Sequence, residues 1–163
     1  CASGAQELPE KTLTVTLPQT VLLKVDTVSA DCALTGVQTA QLDVDSVSGA
    51  LRGDAAVTEM LSVDTVSGGA SLDLTAAPKK VTGNTVSGVM ELVFDEAPGT
   101  VKLSSTSGSF ALGLPAGAAY QLDWSTVSGA CDDSGYQAPE GRGAKKIKLT
   151  ADTVSGGLTI YTK

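Results

Sequence analysis

The most varied polar stretch of the sequence is CDDSGYQAPEGRGAKK at 131–146, which carries Asp132, Asp133, Tyr136, Glu140, Arg142, Lys145 and Lys146. Carboxylates, a phenol and cations on one loop are the ingredients of a ligand-binding site, because together they offer acceptors, donors and an aromatic face. A second grouping is dispersed. Asp26, Asp45, Asp64 and Asp152 recur at one point of a repeated phrase, with Asn84, Ser104 and Ser125 at the equivalent points. Stacked carboxylates could hold Ca²⁺, which takes oxygen ligands. The interchange of Asp, Asn and Ser favours capping of the local backbone at a corner instead, so no metal is expected there. The chain has no His, which removes Ser-His and Cys-His pairings and the usual transition-metal ligand. No acidic or basic pair recurs where a polysaccharide lyase or hydrolase would need it. A carbohydrate-active enzyme is therefore the least supported reading, with neither a catalytic residue nor a cofactor expected.

The elements that must position these residues follow from the repeated phrase. DTVSGG stands at 64 and 152, DTVSA at 26, DSVSG at 45, NTVSG at 84, SSTSG at 104 and STVSG at 125. The motif serines Ser29, Ser48, Ser67, Ser87, Ser107, Ser128 and Ser155 are separated by 19, 19, 20, 20, 21 and 27 residues. A period near 20 with strand-like letters suits one coil of a β-solenoid.

Columns aligned on the motif centre test the register. Five residues earlier stand Leu23, Leu42, Leu61, Val81, Val101, Leu122 and Leu149; three earlier stand Val25, Val44, Val63, Gly83, Leu103, Trp124 and Ala151. Two later come Ala30, Gly49, Gly68, Gly88, Gly108, Gly129 and Gly156; four later come Cys32, Leu51, Ala70, Met90, Phe110, Cys131 and Leu158. This period-two alternation defines a core face. With the central Val taken as inward, parity breaks once, at the Asp-Thr pair, which becomes the corner. Thr and motif Ser then face solvent as a two-file hydroxyl array that could meet a glycan, although such residues also simply suit a parallel β surface. The glycines are explained by close backbone approach just past the corner.

The expected fold is all-β: a parallel β-helix of about seven rungs, right-handed by the usual crossover rule. Residues 1–163 form one domain, with 1–20 as a lead-in or cap strand in which Leu13, Val15 and Leu17 alternate. Stacking at about 4.8 Å per rung puts Cys32 and Cys131 five rungs and about 24 Å apart, too far to bridge. Both are read as buried, reduced small hydrophobes. A net charge of −7 argues against nucleic acid as a partner, and no apolar run is long enough to span a membrane.

TVSG recurring ahead of alternating aliphatics resembles the bacterial β-repeat family DUF4097, to which an adhesin role is ascribed. The resemblance runs over about residues 11 to 163. It implies a single-stranded β-helix displayed outside the cytoplasm, and it brings no catalytic residue with it. The opening CASG has two readings: a trimmed boundary, or the acylated Cys1 of a lipoprotein at the bacterial cell surface. The functional expectation is a non-enzymatic, extracytoplasmic interaction or adhesion module that meets a glycan or protein with its sheet faces and the 131–146 loop. The alternative is a structural rod that self-associates end to end, since GGLTIYTK stops on a strand without an obvious cap.

Overall fold

The structure, a computed structural model, describes residues 22–137 and 146–163. Among them are twelve strands and no helix: β1 (Leu22–Thr27), β2 (Cys32–Ser46), β3 (Leu51–Thr65), β4 (Ala70–Leu74), β5 (Lys80–Thr85), β6 (Val89–Phe94), β7 (Thr100–Ser105), β8 (Ser109–Leu114), β9 (Ala119–Thr126), β10 (Cys131–Gly135), β11 (Lys146–Thr153) and β12 (Leu158–Thr162). The expected lead-in at 1–20 lies outside the described residues.

All pairings are parallel, and residues of one alignment column are hydrogen-bonded neighbours, as Leu42 with Leu61, Leu61 with Val81, and Val81 with Val101. The chain is a β-solenoid. Each rung has a first wall ahead of the corner and a second wall after it. β2 and β3 run through the return turn, each joining the second wall of one rung to the first wall of the next, with register shifts at Leu34/Val37 and Thr39/Gln41. The core is the stack of inward files, with Leu42, Leu61, Val81, Val101 and Leu149 all at 1% exposure or less. Phe94 and Phe110 are its largest members.

The corner falls one step later than the Asp-Thr break expected from the sequence. Burial alternates without interruption through residue minus one, so Ser46, Thr65, Thr85, Ser105 and Thr153 are buried. The motif centre and the motif Ser both face out: Val28, Val47, Val66, Val86, Val127 and Val154 are 45–82% exposed. The reason is the hydroxyl. Thr85 Oγ1 accepts the Gly88 N–H at 2.9 Å, Thr126 Oγ1 that of Gly129 at 2.7 Å and Thr153 Oγ1 that of Gly156 at 2.8 Å. Ser105 Oγ bonds both the N–H and the carbonyl of Gly108, at 2.6 and 3.1 Å. A valine turned inward here would leave these backbone groups unpaired in the core. Thr85→Val keeps the shape and removes the acceptor, so it should cost about 1–3 kcal/mol in urea titration.

The glycine file shows the close approach that the columns implied. A Cβ on Gly49, Gly68 or Gly88 would run into the carbonyl oxygen of Ala30, Gly49 or Gly68, respectively, one rung below. Ala30 is the one non-glycine of the file, and it stands in the first rung, where no described strand lies beneath it.

The stacking order departs from chain order once. The first walls run β1-β2-β3-β5-β7-β11-β9 and the second walls β2-β3-β4-β6-β8-β12-β10. The seventh rung, β11 and β12, thus sits between the fifth (β7, β8) and the sixth (β9, β10). Consistent with this, a Cβ on Gly156 would meet the Gly108 carbonyl, and one on Gly129 the Gly156 carbonyl. Strand β12 is therefore an interior strand with both edges paired, not the exposed end that its position in the chain suggested. Cys32 and Cys131 stand in the two outermost rungs, six steps and about 29 Å apart. Both are free and half-buried rather than buried, because each has a described neighbour on one side only.

Candidate interaction surface

Along the corner the outward side chains form three parallel files. The first holds Asp26, Asp45, Asp64, Asn84, Ser104, Asp152 and Ser125; the second holds the valines and Thr106; the third holds the motif serines. Over the first five rungs, with Val154 of the seventh, these first two files and the Thr/Ser file between them line a shallow groove of about 760 Å³.

The serine file is committed to the fold. From the second rung on, each Oγ donates to the motif-centre carbonyl one rung away: Ser48 to Val28 at 3.0 Å, Ser67 to Val47 at 3.1 Å and Ser107 to Val86 at 3.1 Å. The same ladder follows the altered stacking order, with Ser155 donating to Thr106 at 3.3 Å and Ser128 to Val154 at 3.4 Å. The expected two-file hydroxyl array does not form, since the Thr-file hydroxyls are buried at the corner and the Ser hydroxyls bond along the stack.

The aspartates do not cap the corner. Asp26, Asp45 and Asp64 bond side chains of their own and adjacent rungs. Lys24 Nζ lies 3.5 Å from Asp26, 3.9 Å from Asp43 and 3.1 Å from Asp45. Asn84 Nδ2 donates to Asp64 Oδ1 at 2.6 Å and Ser62 Oγ to Asp64 Oδ2 at 3.2 Å. The Lys24 hydrogen bond holds the Asp45 carboxyl below the usual range, and that bond together with the Asp26, Asp45 and Asp43 charges holds the Lys24 ammonium above its own. Carboxylate oxygens of Asp43, Asp45 and Asp64 come within 4.8 Å of one another. Lys24 supplies one cation and Asn84 a neutral donor to this group, which keeps a net negative charge.

The polar loop is only partly a set. Asp132 accepts the Ser134 N–H at 3.0 Å, and the Ser134 hydroxyl first, then this N–H, hold its carboxyl below the usual range. Asp133 accepts the Tyr120 hydroxyl at 2.8 Å. Tyr136 packs edge-on against Tyr120, with ring centroids 4.8 Å apart at 70°, and its own hydroxyl is buried with no hydrogen-bond partner among the described residues. Burial, then the hydrogen bond to Asp133, pushes the Tyr120 phenol well above its ordinary pKa. Asp133 and Tyr136 thus close the sixth rung, at the end of the stack, through Tyr120, and Asp132 stays on its own turn. Glu140, Arg142 and Lys145 lie outside the described residues.

A clasp absent from the sequence reading fastens the C-terminus. The Tyr161 ring lies over Gly113, where a Cβ would come within 3.1 Å of it. Its hydroxyl donates to Glu91 Oε1 at 2.9 Å, two strands away across β8. Lys163 Nζ reaches Asp95 at 2.5 Å and Asp73 at 3.6 Å. Burial and then the Glu91 bond push the Tyr161 phenol up to about 12 from its ordinary 10.0. A raised phenol stabilises the fold fully below pH 10, and that contribution fades as pH climbs toward 12. Tyr161→Phe should flatten this alkaline decline, measured as melting temperature against pH.

Residues 13–161 match the Toastrack DUF4097 family, and the chain belongs to it. No curated protein and no solved structure gives a significant match. No helix among the described residues is long and apolar enough to cross a membrane.

Proposed function

We propose that this protein is a non-enzymatic interaction module of adhesin type, displayed outside the cytoplasm of a bacterial cell, whose contact surface is the corner of the solenoid. One observation carries the reading: six valines, 45–82% exposed, stand in a single file between an acidic and a hydroxyl file. Aligned apolar surface rimmed by polar groups is characteristic of contact sites rather than of free surface. Its backing is rigid. Every corner is tied to the next by the serine ladder and packed on the glycine file, so the surface needs no ordering on binding, which lowers the cost of association. The groove is shallow and open, and the perturbed carboxyl on its lining, Asp45, is held ionised by its bond to Lys24, which favours binding over turnover.

An array of glycans and extracellular proteins probed with the labelled chain tests this. The triple variant Val47→Thr, Val66→Thr and Val86→Thr keeps β-branched shape at exposed positions and should leave the melting temperature within a few degrees. Hits that weaken tenfold or more in the triple variant support the corner as the contact surface. Hits indifferent to it, or turnover of any polysaccharide on the array, would overturn the reading.

A further inference from the structure

The altered stacking order has a consequence beyond surface binding. The chain leaves β8 through Pro115 and Gly117, whose φ is 81°, and enters β9 two levels away rather than one. Two levels are about 9.6 Å, a gap one strand wide. The sixth rung therefore has no partner until residues 146–163 fill the gap, with β11 pairing to both β7 and β9 and β12 to both β8 and β10.

The gap is specific for this rung. Ala151, fully buried, sits between Leu103 and Trp124, so a small side chain of that file lies beside the largest. Leu158 lies between Phe110 and Cys131, and Gly156 passes where only a glycine clears the Gly108 carbonyl. On the outer face, Tyr161 and Lys163 find their acceptors on β6, β4 and the residue after β6. A rung that answers every one of these demands exists in one other place, a second copy of this chain. Tyr136 packs on Tyr120 and the Gln137 N–H donates to Thr162 Oγ1 at 2.8 Å, so eight residues, 138–145, lie between these placed groups and β11, a length whose fully extended reach is about 28 Å, close to six rung spacings.

We propose that residues 146–163 are an exchangeable rung, and that two copies close into a two-fold dimer by each filling the other's gap. All contacts made by the rung are conserved in the exchange, so the dimer differs from the monomer only in the path of the connection and in association entropy. Refolding at high protein concentration favours it, and once formed it comes apart only when the rung is withdrawn.

Cys131 and Leu158 are direct neighbours across β10 and β12, so the variant Cys1→Ser, Cys32→Ser, Leu158→Cys reports which copy supplies the rung. After refolding from urea and oxidation with a disulfide reagent such as oxidised glutathione, dilute samples should give an intramolecular bond and a monomer band. Samples refolded at a hundredfold higher concentration should give covalent dimers on a non-reducing gel. Refolding two isotope-labelled pools of the wild-type chain together, with mixed dimers read by native mass spectrometry, covers the case in which the variant fails to fold. Monomer alone at every concentration in the wild type overturns the proposal, as do dimers that form without refolding and dissociate on dilution. Neither result touches the corner surface, whose test is the array.

Discussion

Gly88→Ala should cost about 3 kcal/mol or more, the upper end for overpacking a well-filled site. The added methyl would fall against the backbone carbonyl of Gly68, with its carbon 3.1 Å away, and against Thr85 Oγ1 at 3.0 Å. A flexible side chain could swing aside, whereas a carbonyl in a β ladder cannot move without breaking the pairings above and below it. Urea titration followed by circular dichroism should show the midpoint falling sharply or the native baseline disappearing. Ala30→Gly is the matched control, because no described carbonyl lies beneath Ala30, and it should shift stability by no more than about 0.5 kcal/mol. A tolerated alanine at 88 would mean that the rungs are not stacked as closely as described.

Phe110→Ala should remove about 3–5 kcal/mol, the usual cost of emptying a buried aromatic site. Phe110 is 2% exposed and lies between Met90 below and Leu158 above. The same position also tests the stacking order. A double-mutant cycle pairing Phe110→Ala with Leu158→Val should show a coupling of about 0.5 kcal/mol or more, as residues in contact do. A cycle with Cys131→Ala should be additive within about 0.5 kcal/mol, because Cys131 is two levels away. If the rungs stacked in chain order, the two couplings would be reversed.

Much of this was legible in the sequence because the repeat is local information. Period-two parity told which residues of each wall point inward, and the glycine file announced a close backbone contact before any coordinate did. The corner was misplaced by one step for a definite reason. Thr and Val are both β-branched and nearly the same size, so hydrophobicity alone turns Val inward and Thr outward. The turn needs a hydroxyl facing inward to bond the backbone three residues on, and that hydrogen bond outweighs the burial of one more isopropyl group. An unbroken parity through Leu, Val and Thr at minus five, minus three and minus one was the available signal. The exposed valine file, the contact surface proposed here, was hidden by the same error.

The loop at 131–146 stands out in the sequence because its spacing breaks the period. Asp133 and Tyr136, two of its described members, bond to and pack on Tyr120 at the end of the stack. The extra residues accompany a change in stacking order that the sequence does not announce.

The sequence by itself determined the solenoid, its period, its inward files and its glycine contacts. Each of these rests on a clash or a parity repeated in every copy and satisfied within a rung or against the next one. The tertiary structure alone decided which rungs are neighbours. Rungs five, six and seven present nearly interchangeable apolar files, so pattern matching ranks no order above another. The choice rests on long-range terms that few residues carry: the Ala151 fit beside Trp124, the Tyr161 ring on Gly113, and the reach of Lys163 to Asp95 and Asp73.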